Sequence, residues 1–265
     1  MKNRNVWKQL TGLVFALAMI ITAFVVASPE AANAAEYSFK NKGKSSVVIT
    51  DENCSYVTGE IDYIKIKPKK DGYLKLKMKN ASAVSTNTYG KIYLYNGKKS
   101  KALSPVKVYD TNEIDAYYYT VCYGLKKNTQ YYVAVTSYVG VEISAEYKAV
   151  KDTSGTKKSK AKTIAKKKSA VGTIVAGTKS SDYYKFNVTS NQEINVKLKH
   201  FLTDDVILTV SGPGIKKSVF RVDGLQKWGY DFGVGSPGKV IPGTYYIKIQ
   251  PATKTCSGYY NISWK

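Results

Sequence analysis

The sequence predicts an all-β protein, two tandem antiparallel β-sandwiches following a signal peptide. Three observations predict it. Apolar and polar residues alternate at period two through much of the 265-residue chain, as in DYIKI (Asp62 to Ile66) and INVKL (Ile194 to Leu198). Turn clusters such as Ser211-Gly212-Pro213-Gly214 and Gly235-Ser236-Pro237-Gly238 punctuate that alternation, and no segment after the first 35 residues sustains a helical period. The chain also repeats itself. Asp62-Tyr63-Ile64-Lys65-Ile66 falls on Asp182-Tyr183-Tyr184-Lys185-Phe186, and Leu74-Lys75-Leu76-Lys77-Met78 falls on Ile194-Asn195-Val196-Lys197-Leu198 at the same spacing.

Residues 1–35 are expected to be a secretory signal peptide. Lys2, Arg4 and Lys8 precede an apolar run from Leu13 to Val26, and Ala32-Asn33-Ala34 has the small-residue spacing that signal peptidase accepts. An uncleaved anchor is the alternative, for which the apolar run is short. The expectation is a secreted or extracellular protein, loosely associated with a cell surface, with no membrane contact after cleavage.

Residues 36–150 form the first expected sandwich. Its opening strands, GEIDYIKIKP and GYLKLKM, are separated by PKKDG and read as a hairpin or as two adjoining half-buried strands. KIYLYNG (Lys91 to Gly97) and TQYYVAV (Thr129 to Val135) continue the alternation. Residues 151–159, rich in Lys, Ser, Thr and Gly, read as a linker. Residues 160–265 form the second sandwich. Thr163-Ile164 and Val171 to Val175 read as short opening edge strands, VILTVSG (Val206 to Gly212) echoes KIYLYNG, and GTYYIKI (Gly243 to Ile249) echoes TQYYVAV. Segments that match in one order with drifting offsets indicate two copies of one domain differing in loop length.

The second half resembles the bacterial pre-peptidase C-terminal domain. The residues that carry the resemblance are Ala161-Lys162-Thr163-Ile164, Gly172-Thr173-Ile174, Ser181 to Phe186, Leu208-Thr209-Val210, Pro242 to Ile249, and Gly258-Tyr259-Tyr260. The first half departs from it, with Thr129-Gln130 in place of Gly-Thr and Ile64 in place of the second Tyr, and is a diverged copy. The resemblance implies a jelly-roll-like sandwich that accompanies catalytic domains of secreted peptidases; some members bind calcium.

The formal net charge is +22, and the leader removes only three positive residues and one Glu, so the basic excess survives processing. Arg4 and Arg221 are the only arginines. Lysine is a hydrated point charge, whereas arginine reads phosphates and base edges bidentately, so the surface suits loose adhesion to polyanions and argues against sequence-specific nucleic-acid binding. Cys54, Cys122 and Cys256 are too few for a disulfide framework. Cys54 and Cys122 can pair within one half, or all three are tolerated thiols.

His200 is the sole histidine, which excludes multi-histidine metal centres, and no G-x-S-x-G elbow is present. His200 aligns with Asn80 and is expected to be a solvated strand-end residue. No cofactor is expected, with calcium on acids such as Asp204-Asp205 as the alternative. The remaining candidates are binding residues. Trp228 lies in the glycine-flanked QKWGYDFGVG with Tyr230 and Phe232 following at period two, which predicts a ligand surface. Lys157, Lys158, Lys160, Lys166, Lys167 and Lys168 concentrate charge at the junction and predict polyanion contact. Of each adjacent tyrosine pair (Tyr131-Tyr132, Tyr183-Tyr184, Tyr245-Tyr246, Tyr259-Tyr260), one member must face away from the core. Trp264 is expected in the core. The expected function is that of a non-catalytic binding or accessory protein engaging extracellular polysaccharide, an anionic cell-wall polymer or a matrix protein. A glycosidase-like hydrolase using a carboxylate pair, and a purely structural surface protein, are the alternatives.

Overall fold

The computed structural model describes residues 36–40, 42–49, 61–80, 89–110, 119–137, 140–224 and 230–265. The expected signal peptide, Cys54 and Trp228 lie outside them. The described residues form eighteen strands. In the first half these are β1 (Glu36–Ser38), β2 (Gly43–Ile49), β3 (Asp62–Ile66), β4 (Gly72–Asn80), β5 (Tyr89–Asn96), β6 (Lys107–Asp110), β7 (Tyr119–Leu125), β8 (Tyr131–Thr136) and β9 (Val141–Ala149). In the second half they are β10 (Lys162–Thr163), β11 (Ser169–Ile174), β12 (Asp182–Val188), β13 (Asn195–Leu202), β14 (Val206–Gly212), β15 (Ile215–Val222), β16 (Tyr230–Gly235), β17 (Gly243–Pro251) and β18 (Gly258–Trp264).

Each half is a sandwich of a five-stranded and a four-stranded sheet, and the two have the same topology. The five-stranded sheets run β1-β3-β8-β5-β6 and β10-β12-β17-β14-β15; the four-stranded ones run β2-β9-β4-β7 and β11-β18-β13-β16. Every strand of the first half therefore has a counterpart at the same place in the second. The repeat read from a few residues extends to the whole architecture. All pairings between these strands are antiparallel, as expected of such sandwiches, except β1 with β3 and β10 with β12, which are parallel.

The hairpin alternative for the opening strands is not realised. β3 lies in the five-stranded sheet and β4 in the four-stranded one, and the same holds for β12 and β13. The chain arches across the core because both strands carry an apolar row, Ile64 and Ile66 on one and Leu74, Leu76 and Met78 on the other. Facing each other across the sandwich is what buries both rows. A fully buried Leu or Ile contributes roughly 1.5–3 kcal/mol.

The second core is built the same way around Tyr184, Phe186, Tyr245, Tyr260 and Ile262. Trp264 is buried as expected: its ring stacks on Phe186 at 4.4 Å and its Nε1–H donates to the Ile164 carbonyl at 2.8 Å. His200 is a correction, being 2% exposed. Strand β13 continues to Leu202, which puts His200 in the inward row with Val196, Leu198 and Leu202. Cys122 and Cys256 are both buried thiols.

Residues 151–159, read from composition as a linker, are bound down onto the second sandwich. Gly155 bridges Tyr183, Asp152 accepts hydrogen bonds from the Ser154 and Thr173 amides at 2.8 and 3.0 Å, and the Ser154 hydroxyl donates to Asp182 at 2.7 Å. Asp182 also accepts from the Tyr260 hydroxyl at 2.6 Å. Burial foremost, with the Asp152 charge adding to it, raises the Asp182 carboxyl to about 6.

The two sandwiches meet as parts of one compact unit. Gly124 at the end of β7 approaches Val175 in a parallel bridge, and its carbonyl accepts from the Ala176 amide at 3.0 Å. Ala176, from the second half, is buried within the first core. A Cβ on Gly124 would lie 2.2 Å from the Ile174 carbonyl oxygen, so only glycine permits the approach. Beside this contact Tyr73 of β4 stacks on Tyr259 of β18 at 4.0 Å, and Tyr259 stacks on Phe201 at 5.7 Å. Tyr259, the outward member of its pair, is thus spent on joining the two halves.

Candidate functional site

Strand pairing on the outer face of the first five-stranded sheet gathers four tyrosines. β3, β8 and β5 are neighbours, and their register aligns Tyr63, Ala134 and Tyr93 in one row and Lys65, Tyr132 and Tyr95 in the next. Because side chains alternate, the residues between these point into the core, as Ile64, Val133 and Leu94 do. The outward rings touch edge to face or tilted: Tyr63 lies 6.1 Å from Tyr95 and 6.0 Å from Tyr132, and Tyr93 lies 5.1 Å from Tyr95. Ala134, at the centre of the cluster, is fully covered, and Tyr93 and Tyr132 are themselves buried, so Tyr63 and Tyr95 present the surface that the cluster exposes.

The turn after β5 adds a charge. The Asn96 side-chain carbonyl accepts from the Ser100 and Lys101 amides at 3.0 and 3.3 Å, and Lys99 takes a left-handed conformation, φ 56°. The turn carries the Lys99 ammonium over the faces of Tyr63 and Tyr132, 4.4 and 4.7 Å from their centroids. The Gln130 amide donates to the Tyr132 hydroxyl at 3.0 Å and so fixes that ring. Burial, more than the neighbouring Tyr95, raises the Tyr63 hydroxyl and pushes that of Tyr93 far up, so both remain protonated and able to donate at neutral pH.

The second sandwich shows which of these residues the fold itself requires. At the corresponding register its rows read Tyr183, Lys248, Thr209 and Lys185, Tyr246, Ser211. Thr209 and Ser211 stand where the first copy has Tyr93 and Tyr95, and Lys248 stands where it has Ala134. The same architecture therefore forms without two of the four rings and with a lysine in place of Ala134.

Of the residues expected from sequence to form the site, Trp228 lies outside the described residues and the others are placed as follows. Phe232 of β16 is in register with Leu198, packs against the second core and lies 5.8 Å from Phe220, so its ring is accounted for by packing. Tyr230 opens the same strand opposite His200. The lysine run is divided. Lys157 precedes a short 3-10 turn (Lys158–Lys160), which places the Lys158 ammonium 4.5 Å from the centroid of Tyr246. Lys166 bonds the Gln192 side chain and lies 6.0 Å from the Trp264 ring, Lys167 takes a positive φ of 60°, and Lys168 lines a cleft between the sandwiches. Asp204 accepts from the Thr253 and Thr255 hydroxyls, and Asp205 accepts from Arg221 and the Gly224 amide, so these carboxylates are engaged within the protein. Of the tyrosine cluster, Tyr132 was reachable from the paired tyrosines, while Tyr93 and Tyr95 carried only the period-two spacing in KIYLYNG.

The sequence matches no protein-family model and none of the curated proteins. Among solved structures, the pre-peptidase C-terminal domain of a collagenase from Bacillus anthracis is 18% identical over 40% of this chain and 94% of that one, with a TM-score of 0.31. Tripeptidyl peptidase 2 is 9% identical over 88% of this chain and 24% of that one, TM-score 0.30. The CUB1-EGF-CUB2 domains of human MASP-1/3 are 8% identical over 84% and 100% of the two chains, TM-score 0.27.

Proposed function

We propose that the protein is an exported, non-catalytic binding protein that holds extracellular polysaccharide on the tyrosine face of its first sandwich. One observation carries this reading: two of the four rings are present in the first copy and absent from the second, although both copies share one topology. Residues that the fold does without are free to serve a ligand. Tyrosine rings pack against the C–H face of a pyranose while their hydroxyls reach its oxygens, and Lys99 adds a donor at the rim. The second sandwich, by its resemblance to the pre-peptidase C-terminal domain, is in this reading a companion module of an export-associated protein. Its late strand Gly243–Pro251 carries one of the stretches of that resemblance.

The test replaces the first copy's residues by the second copy's, Tyr93→Thr with Tyr95→Ser. Since Thr209 and Ser211 are compatible with this fold, the double variant is expected to fold. Binding to insoluble cellulose, chitin and β-glucan is measured by depletion at high salt, where exposed lysines are screened. The parent is expected to bind at least one of the three and the variant to lose on the order of tenfold or more of that affinity, as when an aromatic anchor is removed. Equal binding by a folded variant would remove the tyrosine face from consideration.

A further inference from the structure

A cleft of about 650 Å³ lies where the two sandwiches meet. Its lysines come from both halves and the segment between them: Lys148 from the end of the first, Lys151 from the junction, Lys162 and Lys168 from the start of the second. All four are exposed, and among the described residues none of them has a carboxylate within ion-pairing reach. Among the described residues, no acid lines the cleft. Glu146, two residues before Lys148 in the same outward row of β9, acts electrostatically on Tyr73 and Tyr259 but is not among the residues lining the cleft.

Four like charges around one concavity repel one another and raise its potential, which attracts an anion of matching spacing. Tyr73 and Tyr259, one from each sandwich, line the cleft as a stacked pair. Thr163 and Asn261 supply uncharged donors beside the ammonium groups. Separated lysines on flexible stems suit charges spread along a chain, whereas a single phosphate is better held by a bidentate guanidinium, and the cleft has no arginine. Alternating charge and hydroxyl recognition over a tyrosine floor is the pattern that a uronate-bearing glycan would meet.

We infer that this cleft binds an acidic polysaccharide laid across the junction. The inference rests on the reading of the protein as a glycan binder but uses a different surface from the tyrosine face, and it requires both sandwiches. The two halves are held in one arrangement by the Gly124, Ala176 and Ser257 contacts, so the lysines of both reach one ligand.

The test uses polygalacturonate as probe, with the protein carrying Lys148→Glu or Lys168→Glu, one from each half, and Lys217→Glu as an exposed charge control remote from the cleft lining. Binding is measured by titration at several salt concentrations. Each cleft reversal is expected to weaken binding by about tenfold or more and to flatten the salt dependence, and the control to change it less than about twofold, with melting temperatures unchanged. Tyr93→Thr with Tyr95→Ser is expected to retain polygalacturonate binding, so failure of the tyrosine face and failure of the cleft give different patterns. Equal loss from Lys217→Glu would reduce the effect to general charge and overturn the proposal. Failure of the parent to bind, or equal affinity for single-stranded DNA, would overturn it too.

Discussion

Ser257 offers the sharpest test of whether the two sandwiches stand as one body. It is fully buried, and its hydroxyl accepts the Gly124 N–H at 2.9 Å across the junction. The hydroxyl proton faces the Gly124 and Ile174 carbonyls, at 3.4 and 3.3 Å. Ser257→Ala removes the acceptor and leaves the Gly124 N–H buried without it. The Gly124 carbonyl keeps its hydrogen bond from Ala176 at 3.0 Å, so the orphaned Gly124 donor is the main loss, with the longer contact to the Ile174 carbonyl lost beside it. Such a donor costs about 1–3 kcal/mol. For a protein of this size about 1 kcal/mol lowers the melting temperature by 2–4 °C, so a central cost of about 2 kcal/mol corresponds to about 4–8 °C. Differential scanning calorimetry of parent, Ser257→Ala and the exposed control Ser190→Ala makes the comparison. The parent is expected to melt as one cooperative transition because Ala176 is built into the first core, and the variant to melt lower and more broadly. A variant within about 1 °C of the parent, or a parent that melts in two separate steps, would refute the reasoning.

Three further outcomes are expected. Gly258 has φ +138°, and a Cβ there would lie 2.0 Å from the Phe201 carbonyl oxygen; Gly258→Ala is expected to destabilise by more than about 3 kcal/mol, measured by chemical denaturation. Ala134 is fully covered by the rings, so Ala134→Lys is expected to displace them and to lose polysaccharide binding at the tyrosine face, read by depletion at high salt. Asp182 is raised from 3.8 to about 6 in the folded protein, so its contribution to stability is present below about pH 4 and is lost as pH rises through about 6. At 1.4 kcal/mol per pKa unit that is roughly 3 kcal/mol. Asp182→Asn should therefore abolish this fall between pH 4 and 6, and a parent and variant with parallel stability profiles in that window would contradict it.

The sequence by itself determined what depends on local pattern. Period-two alternation specified strands, and it specified which of their residues point inward, from Ile64 to Ile262, because successive side chains on a strand face opposite ways. The repeat specified two copies of one topology, because segments matching in order can pair in order. Tertiary structure decided whatever depends on partners distant in sequence. His200 is buried because β13 outruns the length suggested by its match to Asn80. Phe232 packs inward because its strand pairs with β13 in one register, which no local signal in QKWGYDFGVG encodes. The four tyrosines come from three strands whose neighbours in the sheet are far apart in the chain, so their cluster exists only once β8 lies between β3 and β5. The basic cleft needs the two sandwiches fastened together at Gly124 and Ser257, a contact spanning 133 residues of chain, and neither residue type announces such a role.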